Sequence, residues 1–213
     1  MRRPLVRLLS GLAAFILIGW GAGALWTSVV GSDDLEAVRQ VAESRSAALT
    51  AAMRVVTWAG SAWLLVPLAV GCCTVLLRRG LLREAAAVAL SLGGAMLISA
   101  AVRALVSRPR PPVEHLQAVA SASFPSGHST QASAFWLSLV LAARAARAPS
   151  AVTLSAAVIG ALLVPCVAFS RVYLGVHYPS DVIAGVLLGS GWATFVAVCT
   201  EDRKVSLRSR APS

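Results

Sequence analysis

Six long apolar runs alternate with polar segments along the chain. Each run holds 18 to 23 residues, and a helix needs about 20 apolar residues to cross the hydrocarbon core of a bilayer. Backbone groups in lipid must be hydrogen-bonded within their own segment, so such runs are typical of helices. We therefore predict an all-α fold, an integral membrane bundle of six transmembrane helices. The predicted spans are Leu8–Val30, Val55–Leu77, Ala85–Val106, Ser126–Ala143, Ala151–Phe169 and Ser180–Cys199.

The polar segments predict how the spans are connected. Gly31–Arg54 is mixed in charge, and Asp33 with Glu36 indicates a helix start. Because its apolar face is narrow, we favour a solvated connecting helix over a helix that lies on the membrane surface. Ser107–Phe124 is rich in proline, which predicts a loop. We interpret residues 1–199 as one domain and residues 200–213 as a basic tail.

The first apolar run admits a second interpretation. A basic start, an apolar stretch and the small residues Gly21–Ala24 also resemble a signal peptide with its cleavage site. The run continues beyond Ala24 to Val30, which favours a span that is retained. Cleavage at this point would leave the orientation of the later spans unchanged.

Composition and charge narrow the class of protein. Apolar residue types make up 57% of the chain, charged types make up 13%, and the mean hydropathy is +0.75. The net charge of +10 could attract nucleic acid, but the basic residues lie in short loops between apolar runs. We therefore expect the membrane as a partner and no nucleic acid. Four cysteines lie in apolar runs without metal-ligand spacing and are interpreted as core residues: Cys72, Cys73, Cys166 and Cys199.

The distribution of basic residues predicts an orientation. Twelve of the 19 Lys and Arg residues lie in the segments that share a side with the N-terminus. Cytoplasmic loops carry an excess of these residues. We therefore predict a multi-pass protein of the cell (plasma or inner) membrane with both termini in the cytoplasm. The same topology sends three polar clusters to the extracytoplasmic side.

The first cluster runs from Arg103 to Pro111. Arginine presents a planar fork of donors that matches pairs of phosphate oxygens, and the neighbouring prolines stiffen the loop that carries Arg108 and Arg110. The cluster therefore favours a phosphate site. Interfacial arginines that contact lipid headgroups are the structural alternative.

The second cluster, Pro125-Ser126-Gly127-His128, opens the fourth span. The first N–H groups of a helix have no partner within the helix and attract anions. Ser126 could cap the helix or donate to a phosphate oxygen, Gly127 lets the backbone approach a ligand, and His128 could transfer a proton. An ordinary helix start with a solvated histidine is the alternative.

The third cluster holds Arg171, His177 and Asp181. A nucleophilic histidine needs one free ring nitrogen and an acceptor that holds the other. Asp181 follows His177 by four residues, a spacing that lets its carboxylate reach the ring. A structural His–Asp pair is one alternative. A metal site of the two histidines and Asp181 is another, which the nearby arginines disfavour because they repel a cation.

Together the three clusters resemble the signature of the type 2 phosphatidic acid phosphatase (PAP2) superfamily. The matching pattern is Arg103-x6-Arg110-Pro111, then Pro125-Ser126-Gly127-His128, then Ser170-Arg171-x5-His177-x3-Asp181. The family's first motif usually begins with lysine, and Arg103 keeps the charge with a different geometry. The resemblance also implies a PAP2/haloperoxidase-like helical core.

The resemblance implies a role for each matching residue. His177 is expected to attack phosphorus and form a phosphohistidine, Asp181 to orient His177, and His128 to protonate the leaving oxygen and then activate water. The expected phosphate-binding residues are Arg103, Arg110, Ser126, Gly127 and Arg171. No metal or cofactor is expected, because the guanidinium groups can neutralise the phosphate charge.

The expected function is therefore a metal-independent phosphatase that removes a terminal phosphate from a lipid at the outer membrane face. Candidate substrates are phosphatidic acid, phosphatidylglycerol phosphate, and polyprenyl phosphates or diphosphates such as undecaprenyl diphosphate. Two alternatives remain open: a lipid phosphotransferase that uses the same site, and a protein that binds or transports phospholipid without cleaving it. A vanadium haloperoxidase shares the site pattern, but six spans disfavour it. The pattern makes no prediction of oligomeric state.

Overall fold

The computed structural model describes residues 2–29 and 31–201. The described residues form eight α-helices, with a short 3₁₀ turn, Thr57–Gly60, before the fourth. The helices are α1 (Arg2–Val29), α2 (Gly31–Glu43), α3 (Ala47–Val56), α4 (Ala62–Arg78), α5 (Leu82–Val106), α6 (Gly127–Ala145), α7 (Ser150–Tyr173) and α8 (Pro179–Glu201). All but the first two residues of the predicted basic tail (200–213) lie outside the described residues.

The predicted all-α membrane bundle is confirmed. Four helices of the described chain, α1, α5, α7 and α8, are long and apolar enough to cross a membrane. The bent pair of Ala47–Gly60 and Ala62–Arg78 makes a fifth candidate span. The remaining predicted span, the fourth in chain order, is α6, whose first turns are polar but which packs among α4, α5, α7 and α8. The protein is thus a multi-pass membrane protein.

α6 is the central helix of the bundle. Its residue Ala134 belongs to one buried cluster, shared mainly with α5 and α8, and the next residue, Phe135, belongs to a second cluster shared with α4, α5 and α7. A Cβ atom at Gly189 of α8 would lie 2.2 Å from the carbonyl oxygen of Thr130. Such close approach through small residues is typical of helices that pack in lipid. The N-termini of α6 and α8 therefore lie side by side.

The second span is broken, whereas the sequence predicted one continuous run from Val55 to Leu77. The helices on the two sides of the break differ in direction by 42°. Ser61 caps α4 by accepting a hydrogen bond from the backbone N–H of Leu64, so the new helix starts with a satisfied end. A Cβ atom at Gly60 would lie 3.1 Å from Cβ of His128. The break thus brings the 3₁₀ turn against the first turn of α6.

The segment between the first two spans differs from the favoured prediction. It forms two helices, α2 and α3, and one face of α2 is buried rather than solvated. Val38 packs in a buried cluster with Val172 and Val182, and Asp34 is 4% exposed. The prediction of a solvated connecting helix is therefore wrong for this face, because the narrow apolar stripe is completed by contacts with α7 and α8.

The loop between α5 and α6 is irregular, but hydrogen bonds fix its position. The backbone N–H of Ser123 donates to the carbonyl of Arg108, and that of Leu116 donates to the carbonyl of Leu174. Arg45 joins the loop to the end of α7 through the carbonyls of Glu114 and Tyr173. These bonds hold the predicted proline-rich loop over the ends of the helices, next to the residues of the three polar clusters.

Candidate active site

A cavity of about 490 Å³ lies where the 3₁₀ turn, the loop after α5, the start of α6 and the end of α7 meet. Six of the eight predicted site residues line it: Arg103, Arg110, Gly127, His128, Arg171 and His177. The other two, Ser126 and Asp181, are fully buried beside it. The structure therefore brings the three polar clusters together, although their members are up to 78 residues apart in the chain.

Arg171 is held at one side of the cavity. It lies in the last turn of α7, which extends to Tyr173, four residues beyond the predicted end of the span at Phe169. Its Nη1 donates to Oγ1 of Thr57 at 2.7 Å and to Oε1 of Gln117. Its Nε is buried and has no partner among the described residues. An unsatisfied donor of this kind favours an acceptor bound in the cavity.

Arg110 and Arg103 complete the cationic wall. The Nε atom of Arg110 donates to the carbonyl of Ser121 at 2.8 Å, and its Nη1 donates to the carbonyl of Val176. The Nη1 atom of Arg103 lies 3.3 Å from the carbonyl of Pro125. Further bonds from Nη2 of Arg110 to Ser121 and Ala122 fix the direction of that guanidinium. The Nε and Nη2 donors of Arg103 make no hydrogen bond with the described residues and can face the cavity.

The start of α6 presents Gly127 and His128 to the cavity. A Cβ atom at Gly127 would lie 2.6 Å from Nη1 of Arg103, so glycine is what allows the guanidinium to lie against the helix start. Ser126 is turned away and caps the helix, where its Oγ accepts a hydrogen bond from the hydroxyl of Ser129 at 3.0 Å. The geometry favours the capping role for Ser126, and phosphate binding by its hydroxyl stays a prediction.

His177 lies between the cavity and Asp181. Its Nε2 atom is 3.4 Å from Nη1 of Arg110, and its Nδ1 atom is 3.5 Å from Oδ2 of Asp181. This second distance is long for a hydrogen bond, and no other acceptor reaches Nδ1 among the described residues. Hydrogen bonds of catalytic groups are often long before a substrate binds. The ring is therefore oriented with one nitrogen toward the carboxylate and the other toward the arginines.

Burial lowers the pKa of His177 to about 4. Desolvation is the main cause, Asp181 acts in the opposite direction, and the positive charges of Arg171 and Arg110 lower the pKa further. A histidine with this pKa is neutral at pH 7, so the nitrogen that faces the cavity keeps its lone pair.

A second set of buried polar residues lies behind the carboxylate of Asp181, and sequence reasoning missed its importance. The Nη1 atom of Arg108 donates to Oδ1 of Asp181 at 2.7 Å, and its Nη2 atom donates to Oδ2 of Asp34 at 2.8 Å. The hydroxyl of Ser123 and the backbone N–H of Tyr178 both donate to Oδ2 of Asp181. The one available signal was that Arg108 lies between two arginines of the first motif.

Comparison with known proteins places these residues in a family. Residues 84–204 match the PAP2 superfamily, and this stretch is more than half of the chain and contains all three polar clusters. The chain belongs to the PAP2 superfamily. The resemblance drawn from the sequence is therefore confirmed, while the roles of the individual site residues stay predictions.

The relatives of this PAP2 chain include two kinds of phosphatase. It is 38% identical to the decaprenylphosphoryl-5-phosphoribose phosphatase of Mycobacterium tuberculosis over 97 residues. These residues cover 44% of this chain and 48% of the relative. It is 40% identical to the undecaprenyl-diphosphatase of Sulfolobus acidocaldarius over 80 residues. These residues cover 38% of this chain and 34% of the relative. The chain thus matches about half the length of the first of these curated relatives and a third of the second.

Two solved structures resemble this bundle, one of them over nearly its whole length. The transmembrane PAP2-type phosphatidylglycerolphosphate phosphatase of Bacillus subtilis matches with a TM-score of 0.75 and 26% identity over 97% of this chain and 98% of its own. LpxE of Aquifex aeolicus matches with a TM-score of 0.62 and 22% identity over 76% of this chain and 93% of its own. The second likeness concerns the fold alone. The first extends through α1 to α4, which lie before the matched family region.

Proposed function

We propose that this protein is a membrane phosphatase that hydrolyses a terminal phosphate of a lipid phosphate or diphosphate through a phosphohistidine intermediate. The observation that carries the proposal is the cavity that combines three arginines with His128 and His177. A neutral His177 backed by Asp181 suits a nucleophile. The phosphatases among the relatives support the same activity.

The proposed reaction has two displacements at phosphorus. In the first, Nε2 of His177 forms a bond to phosphorus while the bond to the lipid oxygen breaks. His128, which takes up a proton when the anionic phosphate binds beside it, gives that proton to the lipid oxygen. Arg103, Arg110 and Arg171 bind the equatorial oxygens, where negative charge must be met by preplaced donors. The positive charge that forms on the His177 ring is stabilised by Asp181, the carboxylate 3.5 Å from Nδ1.

In the second displacement, neutral His128 takes a proton from water as the water oxygen attacks phosphorus. The N–P bond breaks, inorganic phosphate leaves and His177 returns to its neutral form. His128 is protonated again and ready for the next lipid, so protons and charge balance over the cycle. The arginines supply the positive charge that a metal ion provides in other phosphoryl-transfer enzymes, and we propose that no metal is needed.

A lipid substrate is supported by the position of the cavity at the ends of the spans. Trp58 and Trp63 line its side and are exposed on the surface of the bundle, by 59% and 84%. Exposed tryptophans are typical of the level of the lipid headgroups, where a phosphate can enter the cavity while the chain of the lipid stays in the bilayer. The relatives named for polyprenyl substrates favour a polyprenyl phosphate or diphosphate.

The distribution of arginines and lysine supports a site on the extracytoplasmic face. The turns that connect α4 to α5 and α6 to α7 lie at the end of the bundle opposite the cavity, and they carry Arg78, Arg79, Arg144 and Arg147. Since cytoplasmic loops are enriched in such residues, we propose that these turns face the cytoplasm of a plasma or inner membrane.

The test is a phosphate-release panel on the purified protein in detergent. Phosphatidic acid, phosphatidylglycerol phosphate and undecaprenyl diphosphate are each supplied with EDTA present. In parallel, the His128→Asn variant is treated with radiolabelled undecaprenyl diphosphate, whose phosphate leaving group depends little on a general acid in the first displacement. We expect phosphate release without metal, and an acid-labile label on His177 when water activation is impaired. Release that stops with EDTA would contradict the metal-free mechanism. Label found only on an acceptor lipid would support the phosphotransferase.

A further inference from the structure

We propose that Asp34 is a positioning residue for the reaction, acting through Arg108 on the Asp181–His177 pair. The inference rests on the proposed phosphatase function. Asp34 lies in the first turn of α2, which precedes the family-matched residues 84–204. It is 4% exposed, whereas its neighbour Asp33 is exposed. An aspartate buried among helices of a membrane protein requires a partner and is a candidate for a functional role.

Asp34 is fully engaged by groups at the start of α8 and in the loop after α5. Its Oδ2 atom accepts hydrogen bonds from Nη2 of Arg108 at 2.8 Å and from the hydroxyl of Ser180. Its Oδ1 atom accepts a hydrogen bond from the backbone N–H of Ser180 at 3.0 Å. That N–H belongs to the first turn of α8 and has no partner within the helix. Asp34 thus joins α2 to both elements that carry the site.

Arg108 transmits the effect without entering the cavity. Its Nη1 atom donates to Oδ1 of Asp181 at 2.7 Å and to the hydroxyl of Ser180 at 2.7 Å, and its guanidinium carbon lies 3.9 Å from the centre of the Tyr178 ring. Because the guanidinium is planar, Asp34 on one side fixes the direction of the nitrogen that contacts Asp181 on the other. The carboxylate that orients His177 is itself oriented by this pair.

The charges of Asp34, Arg108 and Asp181 explain why two carboxylates accompany one guanidinium. When the His177 ring bonds to phosphorus it becomes positive, and Asp181 must stabilise that charge. Arg108 alone would cancel the charge of Asp181. Asp34 shares the positive charge of Arg108 and restores a net charge of −1 to the group of Asp34, Arg108 and Asp181. Charges in a buried group of this kind act strongly because solvent does not screen them.

Asp34→Asn tests the proposal, with turnover of a lipid phosphate that the wild type hydrolyses as the measurement. We expect kcat to fall about 10-fold or more while KM changes by less than about twofold, because the residues lining the cavity are untouched. Asp33→Asn is the matched control and keeps wild-type kcat. A wild type that hydrolyses none of the three lipids would instead overturn the proposed function and not this inference.

The double variant Asp34→Asn with Arg108→Gln separates positioning and charge from simple anchoring. It returns the group to a net charge of −1, so we expect its kcat to be severalfold higher than that of Asp34→Asn alone, a non-additive result. If Asp34 only anchors α2, the double variant will be less stable and no more active. If Asp34→Asn does not fold, the double variant, which buries no unpaired arginine, carries the test: it lacks the pair that orients Asp181, so a folded double variant with wild-type kcat overturns the proposal.

Discussion

Arginines gather at both ends of this bundle, and the two ends hold them in different ways. At the end with the cavity, Arg108 and Arg171 are 7% and 2% exposed, and their donors engage carboxylates, hydroxyls and an amide. At the opposite end, Arg78, Arg79 and Arg144 lie exposed in short turns and helix ends. We propose that side chains of one type serve the phosphate site at one end and orientation in the membrane at the other.

The difference teaches that exposure, more than residue type, separates the two roles. A guanidinium that is buried loses its water, so it must be paired by preplaced groups and becomes rigid. An exposed guanidinium stays solvated, keeps its rotamer freedom and contributes through its charge alone. Rigid, partly desolvated donors are what electrostatic catalysis requires. Four variants can break or sharpen this contrast.

The largest effect is expected at the proposed nucleophile. His177→Ala removes the nitrogen that bonds to phosphorus, so we expect turnover to fall by about 10³-fold or more. Phosphate release from undecaprenyl diphosphate or phosphatidic acid measures it, and the elution volume in size-exclusion chromatography checks that the variant is folded. A folded variant with wild-type turnover would show that His177 is not the nucleophile.

A smaller effect is expected when the planar guanidinium group of a buried arginine is replaced by an ammonium group. Arg171→Lys keeps the charge but cannot engage Thr57 and a phosphate oxygen in the same geometry, so we expect kcat/KM to fall by about 100-fold. Arg144→Lys at the exposed end is the matched control, with no expected change. Equal losses in both variants would contradict the contrast between the two ends.

The next effect concerns the space that Arg103, a partly buried arginine of the cavity, needs. Gly127→Ala places a Cβ atom 2.6 Å from Nη1 of Arg103, which forces the guanidinium to move. We expect about a 10-fold loss in kcat/KM. Gly93→Ala is the control, because its Cβ atom would have nothing within 4 Å. A Gly127→Ala enzyme as active as Gly93→Ala would show that the position of Arg103 matters little.

The smallest effect on turnover is expected at the exposed end. Arg78→Gln with Arg79→Gln removes two charges that we assign to orientation, so kcat and KM of correctly inserted protein should change by less than about twofold. The fraction inserted with the site outward, measured by protease accessibility in sealed vesicles, should decrease. A loss of turnover without a change in orientation would show that these arginines contribute to catalysis rather than to orientation.

Local pattern was enough to predict much of the fold. The end of α5 at Val106 and the start of α6 at Gly127 lie within one residue of the predicted boundaries, because apolar runs and prolines act over a few residues. The break at Gly60 was missed. Gly60 and Ser61 form a pair of the kind found at kinks, but the residues that Gly60 packs against, Val167 and His128, lie far along the chain. The burial of α2 was missed for the same reason: its partners are far away in the chain.

The candidate site, like the fold, was predicted from the sequence only in part. The motifs in the sequence identified six of the residues that line the cavity, because each motif is a compact segment whose side chains have a recognisable chemistry. The direction of each side chain was not available from the motifs. Ser126 caps its helix at the side of the cavity, and Arg108 points away from the cavity toward two carboxylates. These directions depend on neighbours that only the packed bundle supplies.

The amino-acid sequence by itself determined that this chain forms a helical membrane bundle, which residues could meet a phosphate, and the family to which it belongs. Only the tertiary structure decided that Asp34 and Arg108, 74 residues apart, form an ion pair beside Asp181. The physical reason is the range of the forces involved. Apolar periodicity and helix ends are set by near neighbours, whereas the partner of a buried charge is set by which helices pack together.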